Sequence, residues 1–476
     1  MADDLWRWSA VDITHGVRTG LISAREATEN CFERLNAVNP AINAVVDVLE
    51  DEALSSADAA DAAVKSGEPL GPLHGVPITV KINTDYAGRA TTNGVVAFKN
   101  FIADEDSAIV ASLRDAGAVI VGRTNVPAFS TRFFTDNALH GRTFNPWDAG
   151  RTPGGSSGGA AAAVAAGIGA IAHGNDRAGS VRYPAYACGV SGLRPTVGRF
   201  PNFNPSAKQE RGLFSQITSV HGPMARSVAD LRLAVDAMSV CDIRDPWSVA
   251  VNESTAEPAR PLSVAVLTAD GSVDCDPAVL AALDRAAGWL GDTGYQVEHV
   301  TPPHMAEASN LFWSLMLTEE GMMADKDGAS SANSIDELGD EAVIKARHST
   351  MANATLLDHG AFIRALARRT AILRDWLQFL ERYPIVLMPV SWKLPFPIDY
   401  DQQGDAALGE LVRAHEPLTA ISLLGLPGLS VPTGTENGVP MGVQIVANRF
   451  REELCLSVGE VIEAHCPMGT PIDPIG

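Results

Sequence analysis

Short apolar runs alternate with stretches of helical periodicity along most of the chain. Residues 9–38 read as helical, with Ser23 as an N-cap candidate, Glu26 three residues on, and Ala27, Cys31 and Leu35 on one face. Ala53 to Val64 reads as an Ala-rich helix stopped by Ser66 and Gly67. Val76 to Lys81 alternates like a strand, placing Ile78 and Val80 on one face and Thr79 and Lys81 on the other. A helix from Asp106 to Ala116, closed by Gly117, leads into a buried strand at Ala118–Val121. Strand, helix and strand follow at Leu262–Leu267, Pro277–Leu290 and Gln296–Val300, with further strands at Pro384–Pro389 and Gly442–Val446. This alternation predicts an α/β fold. Residues 241–262 read as a surface connection. Residues 325–345, acidic and rich in Ser, Ala and Gly, read as an exposed loop. Neither divides the chain, so a single large domain is expected.

Composition narrows the function. The 476 residues include 36 Lys+Arg and 57 Asp+Glu, a formal net charge of −21. With 46% hydrophobic residues the bulk of the chain is expected to fold. The acidity speaks against nucleic acid and anionic membranes as partners, because little would neutralise phosphates. The N-terminal residues lack the basic-then-apolar pattern of a signal peptide, and the small-residue run Ala160–Ala172 is too short to span a bilayer. The six cysteines form no CxxC pair and the eleven histidines no HExxH motif. A cytoplasmic protein without metal or cofactor is the expectation.

The most informative segment is Arg151-Thr-Pro-Gly-Gly-Ser-Ser-Gly-Gly-Ala160. A flexible linker is disfavoured, since the segment is short and runs into packed apolar sequence. The phosphate-loop pattern GxxxxGK[ST] and the nucleophile elbow GxSxG are both absent. Downstream lies His173-Gly-Asn-Asp-Arg-Ala-Gly-Ser-Val-Arg-Tyr-Pro-Ala185, then Cys188-Gly-Val-Ser-Gly-Leu-Arg-Pro-Thr196. Upstream lies Gly71-Pro-Leu-His-Gly-Val-Pro-Ile-Thr-Val-Lys81. Together with Asn137–Trp147, His221–Asp230, Leu426–Thr433 and Gly438–Gln444, these segments resemble the amidase signature hydrolases. The match is strong over 71–240, moderate over 9–50 and 384–460, and weak between.

The resemblance implies a mixed central β-sheet covered by helices on both faces. It divides the chain into an N-terminal helical segment (1–70), the signature core (71–240), a variable substrate-pocket region (241–383) and C-terminal core strands and a helix (384–476). It implies a small-molecule amide, anilide, hydrazide or ester as substrate, and makes a homodimer plausible. It also implies a relay in which Ser180 is the nucleophile, Ser156 follows a cis peptide bond and bridges, and Lys81 is the base. Such a base must be neutral, whereas an ordinary lysine is uncharged only about once in 2,500 molecules at pH 7. Burial would have to lower its pKa. Taken without the motif, Lys81 reads as an edge-strand charge and Ser180 as a helix N-cap.

By the same resemblance the N–H groups of Arg177, Ala178, Gly179 and Ser180 form the oxyanion hole. Gly155, Ser157, Asn175 and Asp176 support it, with Asp176 ordering the turn. Asn175 stands where Thr or Ser is usual, Ala178 where Gly is usual, and Ala128 where Glu is frequent. A positive φ at Ala178 would cost on the order of 1 kcal/mol. Arg182 is expected in a structural ion pair, and His173 in packing or turn bonding. Ser130, Phe134 and Trp313 are candidate substrate contacts. The cluster of Phe312, Trp313, Leu315, Met316, Met322 and Met323 reads as core, with a pocket wall as the functional alternative. Competing functions are the glutamine-hydrolysing component of a tRNA transamidation complex and a catalytically impaired binding homologue.

Overall fold

The computed structural model describes residues 4–207, 209–251, 261–267, 274–323 and 331–475. Eleven strands form one mixed sheet: β1 (Val45–Val48), β2 (Pro77–Lys81), β3 (Val119–Thr124), β4 (Ile171–Asp176), β5 (Ser191–Arg194), β6 (Val220–Ala225), β7 (Ser263–Val266), β8 (Gln296–His299), β9 (Ile385–Pro389), β10 (Gly428–Glu436) and β11 (Val439–Ala447). Their spatial order is β1-β3-β2-β4-β6-β5-β10-β11-β9-β7-β8. β2 runs parallel to both β3 and β4, whereas β4–β6, β5–β6, β5–β10 and β10–β11 are antiparallel.

Side-chain alternation along the strands feeds two cores, one on each face. Val264 and Val266, Ile385 and Leu387, and Ile445 and Ala447 pack into the core shared with the N-terminal helices. Their neighbours Ala265, Val386, Met388 and Val446 pack into the other. Helices Met305–Met322, His359–Arg382 and Glu416–Leu424 cover that second face. Ile78 and Val80 lie in the first core, as their alternation predicts.

The helical reading of 9–38 resolves into two helices, Ala10–Thr19 and Ala24–Ile42, and that of 53–64 into a helix that starts earlier, at Glu50. Ser23 and Glu26 form a reciprocal capping box, and Ser23 opens the helix Ala24–Ile42. Gly67 ends the helix Glu50–Ser66 with a φ of 73°.

Two segments differ from expectation. Of the loop expected at 325–345, residues 324–330 lie outside the described residues, but Ser331–Leu338 and Glu341–Ala352 are helices. The second is capped by Asp340, which accepts from the Val343 N–H. Its Val343 is buried, so a few apolar anchors hold a segment whose composition reads as solvent-facing. The hairpin of β10 and β11 is also longer than the single strand read from the sequence. Both of its faces are covered, so the period-two signal is lost in small and apolar residues. Of the connection at 241–262, residues 252–260 lie outside the described residues.

Candidate active site

The site forms where β2 and β4, parallel neighbours, end side by side. Lys81 is the last residue of β2. Asn175 and Asp176 are the last two of β4. The turn 177–181 follows β4 and enters the helix Arg182–Cys188. The segment Gly154–Ser157 lies against this helix. A Cβ on Gly154 would stand 2.5 Å from the Cα of Pro184, and one on Gly155 would stand 2.4 Å from the Arg132 carbonyl oxygen. No side chain fits at either place, which explains the paired glycines. The Gly155–Ser156 peptide is cis.

Lys81 is fully buried. Its Nζ stands 2.8 Å from Ser156 Oγ and 2.7 Å from Asn175 Oδ1. Burial holds its pKa well below the ordinary lysine range, against a weaker opposing pull from Asp176. No carboxylate pairs with it among the described residues. The amine therefore sits in the low-dielectric interior with neutral partners only. His173 is drawn in beneath it. The Lys81 N–H donates to His173 Nδ1 at 3.4 Å, and His173 Nε2 lies 2.9 Å from His221 Nδ1. Burial holds both imidazoles neutral, and His221, with Arg211 nearby adding to the effect, is pushed down to about 3. This packing role is the one expected for His173.

Asp176 points to the opposite side of β4 and orders the turn. Its Oδ1 accepts from the Gly179 N–H at 3.0 Å and its Oδ2 from the Val181 N–H at 3.2 Å. The guanidiniums of Arg182 and Arg194 pair with the same carboxylate at 2.9 and 3.1 Å, all three side chains being fully buried. Burial alone would raise the Asp176 pKa, but the two arginines outweigh it and hold the carboxyl far below the usual range. Arg182 is the structural ion-pair partner anticipated. Arg194 was missed, because an arginine in a Gly-Leu-Arg-Pro run carries no local sign of complete burial.

The oxyanion-hole expectation changes in one respect. The Gly179 N–H is already engaged by Asp176, so it is not a free donor. Among the described residues no hydrogen bond occupies the N–H groups of Arg177, Ala178 or Ser180. Gly179 itself has a φ of 109°, and a Cβ there would meet Leu418 at 2.6 Å. Ala178 is absent from the positive-φ residues, so its methyl costs no backbone strain. Ser157 Oγ donates to the Asn175 carbonyl at 3.4 Å, tying the loop to β4. Ser180 is partly exposed, and among the described residues its Oγ makes no hydrogen bond to Ser156.

Beside the turn lies a cavity. Its wall includes Phe133, Trp313, Met316, Leu317, Leu411 and Arg177. Trp313 is therefore both core and pocket wall. Phe133, rather than the expected Phe134, lines the space, and its ring meets Trp313 edge-on at 6.5 Å. Phe134 is buried beside it under Arg132. Ser130 lies elsewhere, hydrogen-bonded between Asn83 and Asn93. The cavity's cations are paired: Arg132 with Asp401, Arg177 with Glu320, and Arg347 with Asp336. Among the described residues no cluster of three metal-ligating side chains occurs, and no helix is long and apolar enough to cross a membrane.

Known proteins share the fold and much of the sequence. The amidase family model matches residues 26–456. An indoleacetamide hydrolase of Bradyrhizobium diazoefficiens is 45% identical over 460 residues, covering 96% of this chain and 86% of its own. An acylamidase of Rhodococcus erythropolis is 34% identical over 477 residues, covering 98% of this chain and 97% of its own. A glutamyl-tRNA(Gln) amidotransferase component from Heliobacterium modesticaldum is more distant, at 31% over 463 residues and 93% of each chain. The solved structure of a bacterial aryl acylamidase of the amidase signature family aligns with a TM-score of 0.82 at 27% identity, covering 98% of this chain and 97% of its own. The chain belongs to the amidase family and is an enzyme that hydrolyses amide C–N bonds.

Proposed function

We propose that this enzyme cleaves small amides with a neutral, aromatic or otherwise apolar acyl part, through an acyl-enzyme on Ser180. The observation that carries the chemistry is the fully buried Lys81 amine 2.8 Å from Ser156 Oγ. A neutral amine there accepts a proton from Ser156 as Ser156 takes one from Ser180. Ser180 Oγ then bonds to the carbonyl carbon, and the carbonyl oxygen gains the negative charge. The N–H groups of Arg177, Ala178 and Ser180 face that charge. Collapse breaks the C–N bond, and the proton returns from Lys81 through Ser156 to the departing amine. Water repeats the sequence on the ester and releases the acid. Ser156 reaches Ser180 only when substrate fills the site, since catalytic hydrogen bonds tighten in the reacting complex.

The acyl preference follows from the cavity. Phe133, Trp313, Met316 and Leu317 offer apolar surface, and each lining cation is already matched by a carboxylate. An anionic acyl group would meet no free partner. The hydrolase of 45% identity is named for indoleacetamide, a neutral aromatic acyl amide. A panel of primary amides and anilides graded by acyl size tests this. Arylacetamides should exceed acetamide by on the order of 100-fold in kcat/KM. No turnover of any neutral amide, or a preference for anionic acyl groups, contradicts it. The transamidation alternative predicts glutaminase activity and copurifying partner chains. A cytoplasmic homodimer completes the proposal, and sedimentation of the purified chain checks the dimer.

A further inference from the structure

Lys81 has a second side-chain partner that the proton relay does not use. Asn175 Oδ1 accepts from Lys81 Nζ at 2.7 Å. Asn175 is also the start of a longer chain. Its Nδ2 donates to Asn83 Oδ1 at 3.0 Å. Asn83 Nδ2 donates to Ser130 Oγ at 3.1 Å, and Ser130 Oγ donates to Asn93 Oδ1 at 2.7 Å. Every link runs in the same direction, away from the lysine. Thr84 Oγ1 adds a second donor to Asn83 Oδ1 at 3.3 Å. The far end is anchored by backbone: the Phe129 N–H donates to the Asn93 carbonyl, and Phe129 and Ser130 both hold positive φ, 56° and 57°.

We propose that Asn175 is a positioning residue for proton transfer, taking one N–H of Lys81 and so turning the amine's lone pair toward Ser156. The proposal rests on Lys81 being the base. A neutral amine has two N–H groups and one lone pair, and rotation about Cε–Nζ otherwise leaves the lone pair undirected. With Asn175 Oδ1 holding one N–H, the lone pair can face Ser156 Oγ. After Lys81 accepts a proton it has only donors, and the same oxygen still serves one of them. No partner has to reorient between the two states. The Asn83–Ser130–Asn93 chain keeps the amide from flipping, because a flipped Asn175 would turn its NH₂ toward the ammonium.

The choice of an amide also fits the charges around the amine. Asp176, on the same strand, is committed to Arg182 and Arg194. His173 of β4 and His221 of β6 are neutral. A carboxylate at position 175 would be a new anion in contact with Nζ and would favour the ammonium.

The test is the pH dependence of kcat and kcat/KM on a neutral arylacetamide, with thermal denaturation as a folding check. Asn175→Asp is isosteric. Its activity limb, which rises with pH, should move upward by about one unit or more. The resulting loss at neutral pH should shrink as pH rises. Asn175→Leu should lower kcat about ten-fold or more at every pH, with KM within about two-fold. Asn83→Leu does not touch Lys81 and should act in the same direction with a smaller effect. An Asn175→Asp profile that superimposes on the native one overturns the proposal. So do folded Asn175→Leu and Asn83→Leu variants with native kcat. Lys81→Met separates the two levels. If it is as active as the native enzyme, the base assignment itself is wrong. If it is inactive while the Asn175→Asp limb stays in place, only the positioning role is wrong.

Discussion

Two buried polar networks meet at consecutive residues of β4 and obey opposite rules. On one side of the strand Asp176 holds Arg182 and Arg194, and its carboxylate stays ionised. On the other, Asn175 holds Lys81, and the lysine is driven toward neutrality. Depth of burial does not separate them, since Lys81, Asp176, Arg182 and Arg194 are all sequestered. The partner does. A guanidinium keeps its charge even when burial lowers it to about 10, as at Arg194, because a carboxylate answers it. A lysine facing an amide and a hydroxyl has no such compensation and yields its proton. Strand alternation keeps the two networks apart although their residues are adjacent in sequence.

The largest expected effects fall on the neutral side. Ser180→Ala should remove turnover by on the order of 10⁴-fold or more, and should abolish labelling by a phosphonate or sulfonyl fluoride. Labelling of another serine in the native enzyme would relocate the nucleophile. Lys81→Met should cost on the order of 10³-fold in kcat/KM without lowering Tm, because the substitution removes a burial cost instead of a paired charge. A Lys81→Met enzyme that unfolds at lower temperature would show that the lysine carries structure.

The charged side should break differently. Arg194→Met leaves Asp176 short of one cation and should destabilise the fold by about 3–5 kcal/mol, read by urea denaturation. A change under about 1 kcal/mol would erase the contrast between the networks. The two sides also differ in pH response. Lys81 has a lower pKa folded than unfolded, so the unfolded chain binds more protons between those two values. Its burial penalty is therefore full at low pH and relaxes as pH rises toward the ordinary lysine range. Asp176, whose pKa is also lowered on folding, adds stability with rising pH in the same sense but in a different window: its contribution is complete above the ordinary carboxylate range and is lost only in strong acid. Activity should rise with pH through the lowered Lys81 pKa and then level off. The smallest effect is expected at the cavity wall. Trp313→Ala should reduce the preference for aromatic over small acyl groups about ten-fold in kcat/KM ratio.

Much of the fold was legible because local chemistry and global pattern agree. Ser23 with Glu26, and the alternation at Ile78 and Val80, each state their own structure. The helices at Ser331–Leu338 and Glu341–Ala352 were hidden because their apolar anchors, such as Val343, are few among polar residues. In the site, motif agreement singled out Lys81, Ser156 and Ser180, and the Lys81–Ser156 contact follows that order. Long-range partners carry no local signal. Arg194 reaches Asp176 across 18 residues, and Asn83 reaches Asn175 across 92. Asn175 was visible as a supporting residue of the turn and as a departure from the usual Thr or Ser; its grip on the amine needed three dimensions. Phe133 and Phe134 are a case where adjacency misleads, since a doublet of rings does not say which one faces the cavity.

The protonation state of a single amine can be read directly. In protein labelled with ¹⁵N at lysine Nζ, with Lys81→Met to assign the signal, the Lys81 resonance should have the shift of a free amine at neutral pH. It should titrate well below the ordinary lysine value of about 10.4. An ammonium signal that persists to that value would contradict the account.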